Sequence, residues 1–322
     1  MKENYQLQHR LALDDPYHSI VRVFDCDPEK ILVGIKNVRG IPNTLMHKLE
    51  KTGFALHTID KKSRLAGRAV DIDLINPITG HYMSGSSSGT ALNVFAGIND
   101  LGIGNDGGGS VLAPAMCVNI IGFISRLIEA DREQKLKPNT DGIVSSNSIG
   151  FLSREKKLIY KAIADSIGIA ASKDYGKVYS DKKYSGIISE IIPIRDPLLP
   201  RNELTEYLKS VLKECDVFMI SEGPVDLRGF GDSLFGHFDA QTKKIQEESG
   251  KGYVRVCNIA GATAMCLPQK DYGTATLLMC ESEPDKIAKL LKLSEQIEDV
   301  HDPLIERYFL DLNNYYMDGY EV

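Results

Sequence analysis

Long apolar runs are absent from this sequence. The most apolar extended stretch, residues 111–124, is interrupted by Pro114 and Asn119 and falls short of the roughly 20 residues that a bilayer-spanning helix needs; it reads as buried core. The first ten residues contain no apolar segment that could act as a secretion signal. Basic excess is missing too. With 38 Lys and Arg against 44 Asp and Glu, the formal net charge is −6, whereas a general nucleic-acid binder needs clustered positive charge to meet phosphates. The six cysteines, Cys26, Cys117, Cys215, Cys257, Cys266 and Cys280, are scattered, without the Cys-x-x-Cys pairs or Cys/His clusters of a structural zinc site. They are expected to be free, buried thiols of a reducing compartment, which makes a cytoplasmic protein the expectation, with no membrane or nucleic-acid partner and no metal. The seven histidines sit in no motif, so nothing points positively to a Ser-His-Asp triad. Residues 85–90 also lack the lysine that a phosphate-binding Gly-x-x-x-x-Gly-Lys-[Ser/Thr] loop demands.

What is present reads as an ordinary globular chain of 322 residues, 43% hydrophobic and 25% charged. Residues 31–35 form a short apolar run of the kind found in a strand buried on both faces, and it delivers Lys36 at its end. Strands are also predicted over 187–194, 217–220, 253–257 and 274–279, and helices over 43–51, 90–99, 154–167, 201–213 and 283–297. Residues 239–252, rich in Lys, Glu and Gly, read as an exposed loop. This alternation predicts an α/β architecture, a central mixed β-sheet surrounded by α-helices. No repeat or low-complexity linker divides the chain, so residues 1–322 read as a single domain.

Two clusters of small residues carry the chemistry: Ser84-Gly85-Ser86-Ser87-Ser88-Gly89, and Gly104-Asn105-Asp106-Gly107-Gly108-Gly109-Ser110. Either one alone would be an ordinary turn. Apolar and helical segments flank both closely, however, which does not suit a free linker. Glycine lets consecutive backbone amides converge on a developing negative charge, so Gly107, Gly108, Gly109 and the Ser110 amide are candidates for an oxyanion hole. A serine nucleophile also needs a base. A buried lysine whose pKa is lowered can serve, and Lys36 at the end of an apolar strand is placed for that.

The order of these segments resembles the amidase signature family: a strand bearing Lys36 in Gly34-Ile35-Lys36-Asn37, then a Gly-Ser-Ser turn, then Asp-x-Gly-Gly-Ser. The 24-residue separation of Ser86 and Ser110 is also the family's usual one. Further matches are Pro114-Ala115-Met116-Cys117, the segment from Ser148 to Arg154, Asp216-Val217-Phe218-Met219, and the segment from Asn258 to Ala264, so the likeness runs over residues 30–297. It implies that Lys36 is the catalytic lysine, Ser86 a bridging serine after a cis peptide at Gly85, and Ser110 the acylated nucleophile. Ser87 and Asp106 would support the relay through hydrogen bonds to the loop. No cofactor is implied. The implied partner is a small-molecule or carrier-bound amide, and the assembly considered is a homodimer.

The sequence departs from the family pattern at Leu112 (for an arginine), Asn147 (for an aspartate) and Phe151 (for a proline), and the 50-residue separation of Lys36 and Ser86 is shorter than usual. A reduced cover predicts a more open site. Besides amide hydrolysis through an acyl-enzyme, two readings stay open: acyl transfer to an amine, and a catalytically weakened binding protein on the same scaffold.

Overall fold

The computed structural model describes residues 3–64, 70–131, 136–138, 142–226 and 240–316. Alternation with a period of two builds its sheet. In the strand Val217–Glu222, Val217 and Met219 enter one hydrophobic cluster while Phe218 and Ile220 enter another on the opposite face. With helices packed on both faces, strands have little reason to expose a polar side, and nearly every position of the central ones is buried.

Eleven strands make this sheet. In chain order they are β1 (Ile20–Val23), β2 (Ile31–Lys36), β3 (Phe54–Asp60), β4 (Leu101–Asp106), β5 (Ile121–Ser125), β6 (Ser148–Ser153), β7 (Val178–Ser180), β8 (Glu190–Ile191), β9 (Val217–Glu222), β10 (Ala262–Pro268) and β11 (Ala275–Glu281). Their spatial order is β1-β3-β2-β4-β6-β5-β10-β11-β9-β7-β8. Strand β2 runs parallel to both β3 and β4, whereas β6 is antiparallel to both β4 and β5, so the sheet is mixed. Helices α1 (Glu3–Asp14), α2 (Asn43–Glu50), α3 (Ser88–Phe95), α4 (Leu112–Cys117), α5 (Lys156–Ile167), α6 (Arg201–Glu214), α7 (Ala240–Glu247), α8 (Cys257–Ala260) and α9 (Pro284–Ser294) surround it. Every residue of α3 is buried, which is why its sequence shows no polar face. The single α/β domain with a central mixed sheet agrees with the expectation.

Three local expectations fail, each for a physical reason. Residues 253–257 are not a strand: Tyr253–Arg255 is a 3₁₀ turn leading into α8, because the Glu222 carboxylate gathers the amides of Gly252, Tyr253 and Val254 at 2.7–3.0 Å. The strand over 187–194 shrinks to Glu190–Ile191 at the sheet edge, since Pro193 has no N–H to extend a ladder. Residues 240–247 are helix rather than loop, as their Ala, Gln, Lys and Glu content favours; position 239 lies outside the described residues. The apolar stretch 111–124 is core, divided between α4 and β5.

Among the described residues no helix is long and apolar enough to cross a membrane.

Candidate active site

Because β2 and β4 are parallel, their C-terminal ends emerge side by side, and they carry Lys36 and Asp106. Ser148, paired with Asp106 in register, opens β6 at the same end. Ser86 and Ser87 precede α3, and Gly107 to Ser110 lead into α4. Residues far apart in sequence thus meet at one end of the central strands.

The Lys36 ammonium donates to Ser86 Oγ at 2.7 Å and to the Asn105 carbonyl at 3.3 Å. Both side chains are shut away from water, with Lys36 2% and Ser86 3% exposed. Burial therefore pulls the Lys36 pKa down to about 7, against the opposing charge of Asp106. The Gly85–Ser86 peptide is cis, as the family resemblance implies. Ser110 is partly exposed, and the Ser87 amide donates to its carbonyl at 3.1 Å, tying the two serine segments together.

Asp106 organises the glycine loop. Its carboxylate accepts from the amides of Gly109 and Val111, each at 2.6 Å, and of Leu112 at 3.4 Å. Burial raises its pKa while these amides pull it back. Gly109 has φ +95°, and a Cβ there would sit 3.1 Å from the Val254 carbonyl oxygen, so the turn needs glycine.

This geometry corrects one expectation. The Gly109 amide is directed at Asp106 and is therefore removed from the candidate oxyanion donors. Those of Gly107, Gly108 and Ser110 meet no acceptor among the described residues. Ser87 meets the loop through its backbone amide, and its buried hydroxyl has no hydrogen-bond partner among the described residues. Where the family pattern has an arginine, Leu112 is fully buried in the core beside Val111 and Ala115.

Sequence reasoning treated Asn258 only as part of a family landmark. Its Oδ1 accepts from the Ser148 amide at 2.9 Å and hydroxyl at 2.7 Å, while its Nδ2 donates to the carbonyls of Ser146 at 2.9 Å and Gly107 at 3.2 Å. It stitches the glycine loop to the start of β6. The available signal was an amide flanked by Cys257 and Ile259, where only a fully bonded polar group is tolerated. A second unforeseen cluster lies behind β2. Asp60 Oδ1 accepts from Thr58 and Asn93, each at 2.6 Å, and burial lifts its pKa to about 6.

Known proteins share part of this sequence and its fold. Residues 74–181 match the family model described as Amidase. Over 158 residues the chain is 30% identical to the glutamyl-tRNA(Gln) amidotransferase A-subunit of Methanococcus maripaludis (strain C5 / ATCC BAA-1333), covering 44% of this chain and 34% of that protein. The chain thus spans about a third of the length of the curated relatives it matches. Among solved structures, a crystal structure of an amidase superposes with a TM-score of 0.65 at 14% identity, covering 90% of this chain and 94% of the other. A bacterial aryl acylamidase of the amidase signature family gives 0.62 at 13% identity over 97% and 94%. The glutamyl-tRNA(Gln) amidotransferase A-subunit of Thermotoga maritima gives 0.62 at 13% identity over 94% of each chain. Residues 74–181 thus carry the Amidase match, and the fold of the chain is the one these amidase structures share.

Proposed function

We propose that the chain hydrolyses a carboxamide C–N bond through an acyl-enzyme on Ser110, with Ser86 as bridge and Lys36 as base. The observation that carries this reading is the 2.7 Å contact between Ser86 Oγ and a buried lysine whose pKa is about 7. The Asn105 carbonyl holds one N–H of the amine, which leaves the neutral nitrogen's lone pair for the Ser86 proton.

Lys36 Nζ takes the Ser86 proton as Ser86 takes that of Ser110, and Ser110 Oγ adds to the amide carbonyl. The oxyanion is met by the amides of Gly107, Gly108 and Ser110. Collapse breaks the C–N bond, the amine leaves with the proton returned along the relay, and water then cleaves the ester. The substrate is a small-molecule or carrier-bound amide.

The test is intact-mass measurement after treatment with a fluorophosphonate, on the native chain, Ser110→Ala and Lys36→Ala. A single adduct that forms on the native chain, disappears in Ser110→Ala and slows strongly in Lys36→Ala supports the assignment. Failure of the native chain to label under conditions that label a known amidase overturns it. Acyl transfer to ammonia or an amine is the second reading, favoured by the sequence match to an amidotransferase. Adding hydroxylamine distinguishes the two, since an acyl-enzyme that prefers amines gives hydroxamate in place of acid.

A further inference from the structure

At the end of the sheet opposite Lys36 and Ser110 lies a cavity of about 700 Å³. Strand β6 connects the two places: it starts at Ser148 beside Asp106 and finishes at Ser153, paired with Leu101 and Ile121. The next residue, Arg154, lines this cavity together with Phe95, Val118, Tyr160, Ile305 and Leu310. A volume of this size suits a small organic molecule, and such apolar walls suit one with an apolar body.

Most of the charged side chains on its wall have close partners. Lys156 reaches Asp299 at 3.0 Å, Lys157 reaches Glu155 at 2.6 Å, and His301 approaches Glu306 at 3.1 Å. Asp302 accepts from the Tyr272 hydroxyl at 2.6 Å and from the amides of Leu304 and Ile305 at 2.8 and 3.2 Å. The Arg154 guanidinium makes no hydrogen bond or ion pair among the described residues, and the carboxylates of Asp100 and Glu155 act on it only through their field. It lies against the turn that ends α3, where a Cβ on Gly97 would be 3.5 Å from Nη2. An arginine cannot shed its charge, and one left largely out of water without an acceptor is costly.

We propose that this cavity binds an amphipathic monocarboxylate, its carboxylate on Arg154 and its apolar body against Phe95, Val118 and Ile305. One guanidinium fork matches one carboxylate. The lysines on the wall, Lys156 and Lys157, are already paired with Asp299 and Glu155, so a second negative charge, as on a phosphate monoester, meets carboxylates and no unpaired cation. The site is separate from the proposed amide chemistry and stands whether or not that reading holds.

Isothermal titration calorimetry of the full chain with phenylpropionate tests this, with phenylpropanol as the neutral counterpart and phenylethyl phosphate as the dianion. Phenylpropionate is expected to bind with one-to-one stoichiometry at millimolar concentration or below, ahead of both comparators. Loss of the charged pairing predicts binding weakened at least about tenfold in Arg154→Gln. Ile305→Glu, which leaves the guanidinium in place and adds a competing carboxylate to the wall, is expected to weaken it similarly; it decides the matter if Arg154→Gln does not fold, as judged by circular dichroism. No binding by the native chain, equal binding of phenylpropanol, preference for the phosphate, or undiminished carboxylate binding in either folded variant overturns the proposal. That last outcome would place the carboxylate elsewhere, including at Ser110.

Discussion

If neutral Lys36 is the base, Ser110 labelling must titrate with it, and Asp106 must tune the midpoint. In the native chain the labelling rate should rise with pH through about 7 and then level off, because burial holds Lys36 at about 7 and only its deprotonated form can take the Ser86 proton. Replacing Asp106 by Asn removes the negative charge that raises the Lys36 pKa. The midpoint should therefore move down, by about 1 to 2 pH units for a charge this close and this buried. The same change has a structural cost. The carboxylate holds two amides at 2.6 Å and a third at 3.4 Å. An Asn keeps only one oxygen and turns an N–H₂ toward a donor, which should destabilise the fold by about 2–4 kcal/mol and lower the plateau rate. The assay is fluorophosphonate labelling followed by intact mass from about pH 5 to about pH 10, alongside urea unfolding. A folded Asp106→Asn protein whose midpoint stays put or rises would refute the assignment of Lys36 as the titrating base.

Other outcomes follow from the same geometry. Ser86→Ala should fold normally yet label about 10²- to 10⁴-fold more slowly, since the proton path from Ser110 to Lys36 is cut; an unchanged rate would remove the bridge from the mechanism. Gly109→Ala forces a side chain into φ +95° and against the Val254 carbonyl, so a loss of about 1–3 kcal/mol in urea unfolding is expected, together with slower labelling. Gly34→Ala tests the cluster behind the lysine strand: its Cβ would sit 2.5 Å from Asp60 Oδ2 and would press on Asn99. A fall in stability of about 1–3 kcal/mol is expected, and a neutral result would mean the cluster is looser than drawn. Glu222→Gln should be destabilised by about 1–3 kcal/mol, because one amide oxygen cannot serve the three amides that a carboxylate serves.

How much of this was legible in the sequence depends on whether the cause was local. The run ending at Lys36 showed itself as a strand because its apolar residues are contiguous, and α9 because its amphipathic spacing is regular. Strands β4 and β6, central to the sheet, carried no comparable signal: Gly102, Gly104 and Gly150 interrupt their apolar pattern. Those glycines are there because neighbours come close, Thr90 and Val94 to Gly102, and the Phe123 carbonyl to Gly150. The candidate site residues Lys36, Ser86, Ser110 and Asp106 were found through the order of two small-residue clusters and a family likeness. Asn258 and the use of the Gly109 amide were not, since both depend on contacts that only the folded chain makes. The turn at Tyr253 was misread for the same reason: Glu222, about thirty positions earlier, decides its shape.

The burial of Lys36 has a consequence for when the chain becomes reactive. In an unfolded chain this lysine has its ordinary pKa of about 10.4 and is protonated at neutral pH. It can then accept nothing from Ser86. Its basicity arises only when β2, β3, β4 and α3 have closed around it, and the glycine loop beside it is stitched by Asn258 late in the chain. On the proposed mechanism a nascent or misfolded copy is therefore chemically silent toward amides, and labelling of Ser110 would report the assembled fold as directly as it reports catalysis.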